Sequence, residues 1–279
     1  MACLAIATSA NADCVIKPDG VTVVCTGTDA DGFRDASDNL NVTVEAGAEV
    51  NSMDGLGIVL DGQNGSVTNH GTIRVIDLNR PSVFGIFTQP GNTVVNETDG
   101  LIEVEGSNDV GAIVVQGDVT NHGTITATGH GKSVTGIDFN SSGNTALNGT
   151  DGIIRLNIDA ASGLLSDTYY GIKVSDSGPS VPTVTNDGLI ELNFTNTHAT
   201  GGTGIFVTQS SDAAVSITNN GFININNFQD ITEGVGVLLS GGDSLTNTGE
   251  INLLGGIHNT GVSAFNTIAS SGFTLVNSG

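Results

Sequence analysis

A few short strings in this chain carry residue types that do chemistry elsewhere. Gly242-Asp243-Ser244-Leu245 has the order of an esterase-type serine motif. Asp176-Ser177-Gly178 has the order found around a serine-protease nucleophile. Either serine would need a histidine base and an oxyanion hole, and the first also a sharp strand-to-helix turn. Asp29, Asp31, Asp35 and Asp38 suit a hard cation by type, but their spacing does not fit an EF-hand loop. His70 and His122 occupy the same place in two copies of one short motif. Polysaccharide cleavage would need either a carboxylate-bound Ca²⁺ beside an Arg or Lys base, or two carboxyl groups on one face. Which of these groups can meet depends on the elements that carry them.

The composition limits those elements. The 279 residues include 29 acidic and 7 basic side chains, a formal net charge of -22. No nucleic-acid partner is expected, because phosphate recognition needs clustered Lys and Arg. Charged residues are only 13% of the chain and 40 residues are Gly, which suits short strands joined by many turns rather than disorder. Residues 1–12, MACLAIATSANA, read as the remnant of a secretory signal ending in a small-residue cleavage pattern. Beyond it, no run of eighteen apolar residues suggests a membrane-spanning helix. Cys14 and Cys25 are the only cysteines after that segment. In an exported chain they are expected to form a disulfide, the alternative being two buried thiols.

A repeat organises the rest. From Gly57 onward the chain cycles through Gly-Ile-x-apolar, a turn, apolar-Thr-Asn-x-Gly, and x-Ile-x-apolar. The Asn positions are 69, 96, 121, 148, 186, 219, 247 and 277. The opening Gly positions are 57, 85, 111, 136, 171, 204, 236 and 261. Within each piece apolar residues alternate with polar ones, as in Ile73/Val75, Ile102/Val104 and Ile190/Leu192, the period of a strand. Three short strands per unit, each with one apolar row, bury those rows when like strand stacks on like strand. The fold expected is all-β: a right-handed parallel β-helix with three short parallel sheets and about eight rungs. Residues 13–50 would form an N-terminal cap, and 51–279 the helix, cut short at its C-terminus. The inward Asn residues should form a hydrogen-bonded ladder. The Gly two residues after the Asn, as at Gly71, Gly123, Gly188, Gly221 and Gly249, should supply a positive φ at the corner. Outward charges pair across units, Arg74 with Glu103 and Arg155 with Glu191.

This organisation removes most of the chemistry. Ser244 falls in an outward row with Ser66, Thr93, Asp118, Thr145, Thr183, Ser216 and Thr274. It is a strand residue, not an elbow nucleophile. Val95, Asp118, Leu147 and Val276 interrupt the hydroxyl array of these strands, against an ice-binding surface. A protease built around such a serine as Ser177 needs a separate domain before the helix, and repeats beginning near residue 55 are expected to leave it no room. His70 and His122 sit two rungs apart, too far to share a metal. The aspartates at 29, 31, 35 and 38 read as a solvated acidic turn. The basic residues Lys17, Arg34, Arg74, Arg80, Lys132, Arg155 and Lys173 are scattered, which disfavours a lyase centre. No catalytic residue, metal or cofactor is assigned.

VTNHGTIRV (67–75), VTNHGTITA (119–127) and the segment CTGTDADGFRDASDNLNVTVEAGAEV (25–50) resemble the passenger domains of bacterial autotransporters. The resemblance spans roughly residues 14–279. It implies export through a C-terminal outer-membrane β-barrel domain of the same chain, expected to follow residue 279, and display on the cell surface or release. The function it implies is that of an adhesin or scaffold presenting loops to a host- or sibling-cell protein or glycan. The alternative is a β-helix lyase or hydrolase acting on an extracellular glycan. Insertions at 157–170 and 193–203 carry Tyr169, Tyr170, Phe194 and His198, read as a candidate ligand-binding loop cluster, the alternative being that the tyrosines pack their loop onto the helix.

Overall fold

The computed structural model describes residues 13–139, 143–159, 168–176, 180–195, 201–209, 214–228, 233–240, 242–255, 258–265 and 274–278. Among them every regular element is a strand. The strands form three sheets of eleven, nine and nine, and each coil of the chain contributes one strand to each sheet in turn. All pairings are parallel except Cys14–Ile16 on Thr22–Cys25. This is the parallel β-helix that the repeat implies.

Registers are set by inward side chains. In the first sheet Val67, Val94, Val119, Ala146, Val184, Ile217 and Leu245 stack directly. In the second, Ile73, Ile102, Ile125, Ile154, Ile190 and Ile223 do the same. In the third, the column is Ile58, Ile86, Ile113, Ile137, Ile172, Ile205 and Val237. All are buried, and together they make one continuous core. Fully burying such a side chain stabilises by about 1.5–3 kcal/mol. A one-residue slip would turn a whole strand's apolar set outward.

The Asn ladder is complete from Asn69 to Asn277. Each Nδ2 donates to the Oδ1 of the next coil's Asn, at 2.8 Å for Asn69, Asn96, Asn121 and Asn148 and at 2.6–2.7 Å for Asn186, Asn219 and Asn247. The second amide hydrogen reaches corner carbonyls, as from Asn148 to Gly152 O and Leu189 O. The stack begins earlier than residue 51. Thr22–Cys25 and Asn41–Val44 pair in register below Ser66–Asn69, so Cys25 and Val44 hold the first two places of the Asn column. The expected cap region therefore already contains coils of the same helix, and the coils exceed the eight expected. Val44 and Cys25 hid them, because neither spells the motif. The Cys14–Cys25 disulfide is formed, with S–S 2.04 Å, and pins the antiparallel strand onto the first coil.

Two expectations about glycine need correction. Gly71, Gly123, Gly188, Gly221 and Gly249 are not among the positive-φ residues. They are needed because coils nest at the corner. The Gly221 and Gly249 amides bond to the Asn186 and Asn219 carbonyls of the coil before, at 2.9 and 3.0 Å. A Cβ on Gly221 would fall on the carbonyl oxygen of Gly188. In the opening strands, Gly111 is not equivalent to the other opening glycines: it pairs with Phe84 and Thr135, and Ala112 takes the column position between Gly85 and Gly136. That column tolerates one methyl group.

Two outcomes are expected. Asn148→Ala leaves the Asn121 amide and the Asn186 carbonyl buried without their ladder partners, and should cost about 2–4 kcal/mol, read by denaturant unfolding. Gly221→Ala should destabilise by about 1–3 kcal/mol, and by more than Gly85→Ala, whose column already holds Ala112. A thermal midpoint for Gly221→Ala unchanged from that of the parent would refute the nesting argument.

Candidate ligand-binding face

Of the residues read as a candidate loop cluster, the structure brings Tyr169 and Phe194 together in the core and turns Tyr170 to the other face. Tyr169 is fully buried, and its hydroxyl donates to Gly131 O at 3.0 Å. Phe194 is also buried and meets Tyr169 edge to face, with centroids 5.6 Å apart. Both are core residues. The rings fit because the third-sheet strand of the next coil places Gly202 there, where a Cβ would strike the Phe194 ring. His198 lies outside the described residues, as does Ser177. Of the three that are described, Tyr170 alone points outward. As the next residue along the strand it takes the opposite face from Tyr169.

The other motifs take ordinary places. Ser244 pairs with Ser216 and Thr274 in the outward row. Its neighbour Asp243 is buried and accepts backbone hydrogen bonds from Val215 and Ser240 at 2.8 and 2.9 Å, which fixes the corner. Asp29 is gathered with Asp13 and Asp31, not with Asp35 and Asp38. Its carboxylate accepts from the amides of Cys14, Asp31 and Gly32. A hydrogen bond to Asp29 and the charge of Asp29 push the Asp31 carboxyl above its ordinary range. Asp35 accepts from Ser37 N and Asp38 from Gln63 N. The cross-coil ion pairs Arg74–Glu103 and Arg155–Glu191 form, each at 2.7 Å. His70 lies 3.2 Å from Asp99.

A different set of residues converges on the outer face of the third sheet. There the alternation breaks at the Gly-Ile pair, where both residues are buried, so the outward positions are one before and two after the glycine. The first outward column runs Leu56, Phe84, Gly111, Thr135, Tyr170 and Thr203. The second runs Arg34, Val59, Phe87, Val114, Asp138, Lys173, Phe206 and Leu238. Phe84 and Phe87 pack at 5.9 Å between centroids. Tyr170 and Phe206 stack at 4.5 Å with planes only 16° apart. Three strand steps, about 14 Å, separate Phe84 from Tyr170. Between them lies a shallow depression of about 130 Å³ lined by Phe84, Asp109, Gly111, Val114, Thr135 and Asp138. Its floor is low because Gly111 has no side chain, and a Cβ there would meet the Phe84 ring at 3.0 Å.

The polar groups of this depression are two carboxylates, Asp109 and Asp138, and the hydroxyls of Ser133 and Thr135. Asp138 accepts from Lys173 Nζ at 2.8 Å, an intermediate-exposure pair that neutralises one carboxylate locally. Asp109 is exposed at the rim. Burial, and secondarily the negative charge of Asp138, holds the Tyr170 phenol above its ordinary value. Tyr170 therefore stays a neutral donor well into the alkaline range. Toward the N-terminus the same face continues into a depression of about 310 Å³ over Leu56 and Val59, flanked by Arg34 and Arg80. Both arginines are tied to carboxylates, Arg34 to Asp61 and Arg80 to Asp54. The sequence did hold a partial signal for this face: in four of the eight units the residue two after the opening glycine is Val59, Phe87, Phe206 or Leu238.

The Tyr170 environment has a measurable consequence. Its folded-state value is raised, so its contribution to stability is present below the unfolded phenol value of 10.0 and is lost as pH rises through the folded value. Ultraviolet titration of the parent and of Tyr170→Phe should show the phenol that the variant lacks ionising later than free tyrosine. Ionisation at or below the free value would contradict the packing described.

Comparison with known proteins adds a family. A family model described as the BigA third pectate lyase-like domain matches residues 129–279, just over half of the chain. No curated protein and no solved structure matches. With one three-sheet coil running in register through the matched residues and those before them, the chain belongs to the family of the BigA third pectate lyase-like domain.

Proposed function

We propose that this chain is an exported bacterial surface protein of autotransporter passenger type, which binds a partner through the outer face of its third sheet without turning it over. The observation that carries this reading is the half-buried stacked pair Tyr170–Phe206 on a surface supported by the sheet beneath it. Aromatic rings held on a sheet supply contact area at little entropic cost, and interfaces are enriched in them. Export accords with the disulfide, since such bonds persist in oxidising compartments. The excess of acidic residues favours solubility outside the cell. The partner would be a protein or glycan of a host or sibling cell surface.

The reading is tested with fluorescently labelled protein on intact host epithelial cells and on bacterial cells. Saturable binding is expected, reduced at least tenfold by Tyr170→Ala with Phe206→Ala. Binding equal to that of the parent would remove the face from the account. The second reading, glycan cleavage, is favoured by the description of the matching family. Incubation with polygalacturonate and with neutral polysaccharides, followed by reducing-end assay, is expected to give no product. Steady product release would overturn the non-catalytic reading.

A further inference from the structure

The two aromatic pairs and the depression between them resolve the partner's chemical class. We infer that this depression is a subsite for a neutral, linear polysaccharide lying along the helix axis, an inference that rests on the binding reading above. Three features of the surface point to that ligand.

The first is shape. The aromatic pairs are displaced along the axis, and the open space between them, about 130 Å³, is floored by Gly111 and Thr135. A ribbon-like chain of sugar rings can lie across successive strands in that space.

The second is the pairing of stacking surfaces with acceptors. The face of an aromatic ring carries negative quadrupole density and attracts the slightly positive C–H edge of a pyranose. Sugar hydroxyls are donors that ionised carboxylates accept strongly, and Asp138 and Asp109 stand at the floor and rim. Asp138 is held in position by Lys173, which leaves its second oxygen for a ligand and limits the local negative charge. The neutral Tyr170 hydroxyl supplies a donor on the same side.

The third is charge. The chain carries -22 overall. Among the described residues, Arg34, Arg74, Arg80, Arg155 and Lys173 are already paired with carboxylates. A polyanionic glycan would meet a repulsive field with little free positive charge to offset it. An uncharged polysaccharide would not.

The test uses the full chain and isothermal titration with the hexasaccharides of cellulose, xylan, β-1,3-glucan, β-1,4-mannan and β-1,4-galactan, with hexagalacturonate and poly-lysine as charged controls. At least one neutral hexasaccharide should bind. Its affinity should change less than twofold between 50 mM and 500 mM salt. Tyr170→Ala and Phe84→Ala should each weaken it at least tenfold, and Tyr170→Phe, which keeps the ring, by less than Tyr170→Ala. Gly111→Val, which fills the floor, should also abolish binding. Circular dichroism and thermal midpoints establish that each variant is folded, and Tyr170→Leu or Phe84→Leu, which removes the aromatic face but keeps bulk, replaces an alanine variant that is not. Binding only to hexagalacturonate, or only to poly-lysine with steep salt dependence, would overturn the proposal. So would neutral binding untouched by all four variants. If no oligosaccharide binds while labelled protein still binds cells through Tyr170 and Phe206, the glycan proposal fails and the binding reading stands. If neither occurs, both fail.

Discussion

The requirement that every coil lie in register on the one below governs this molecule. Parallel strands can bury both their apolar rows and their amide ladders only if like residues stack, and the Asn column makes that condition discrete. An Asn displaced by one residue would face solvent and leave two buried amide groups without partners, a penalty of several kcal/mol at each break. Apolar stacking supplies most of the stabilisation, but it is tolerant of small shifts. The amide chain, running from Asn69 to Asn277 with donors all pointing the same way, is not tolerant. Hydrogen bonds aligned in this way also polarise one another.

From that constraint the division of labour follows. Inward positions are fixed in type, corners are fixed in volume, and outward positions are free. The corner glycines show how strict the volume limit is, since a single methyl group at Gly221 would collide with the coil before it. Insertions enter only between strands: the spacing between ladder residues ranges up to 38, from Asn148 to Asn186, without disturbing the 2.8 Å contact. The outward positions of the third sheet are where aromatic side chains collect, and the sheet holds them at strand spacing without loops of their own.

Much of the architecture was legible because the repeat prints the same residue types at the same places. Val67 through Leu245, the isoleucine columns and the ladder could be read directly, and so could the Arg74–Glu103 and Arg155–Glu191 pairs. What escaped was whatever kept the geometry but changed the letters. Cys25 and Val44 stand in the Asn column, and Ala112 stands among glycines. Tyr169 and Phe194 misled in the opposite direction. They flank insertions and look like loop residues, yet they fill the space left by Gly202. Size complementarity between neighbouring coils is a tertiary property that no single repeat displays. The outer aromatic face was hidden for a simpler reason: at each Gly-Ile step two consecutive residues face inward, so alternation counted back from the isoleucine puts the residue before the glycine, Phe84 or Tyr170, on the wrong side.

The head-to-tail sense of the amide chain carries one more implication. Each coil offers an acceptor beneath and a donor above, and so do its neighbours. Any unit therefore fits above or below any other with respect to this column. Duplicating or deleting a whole coil in the gene would preserve every such junction, so lineages can lengthen or shorten the rod by recombination without having to redesign it.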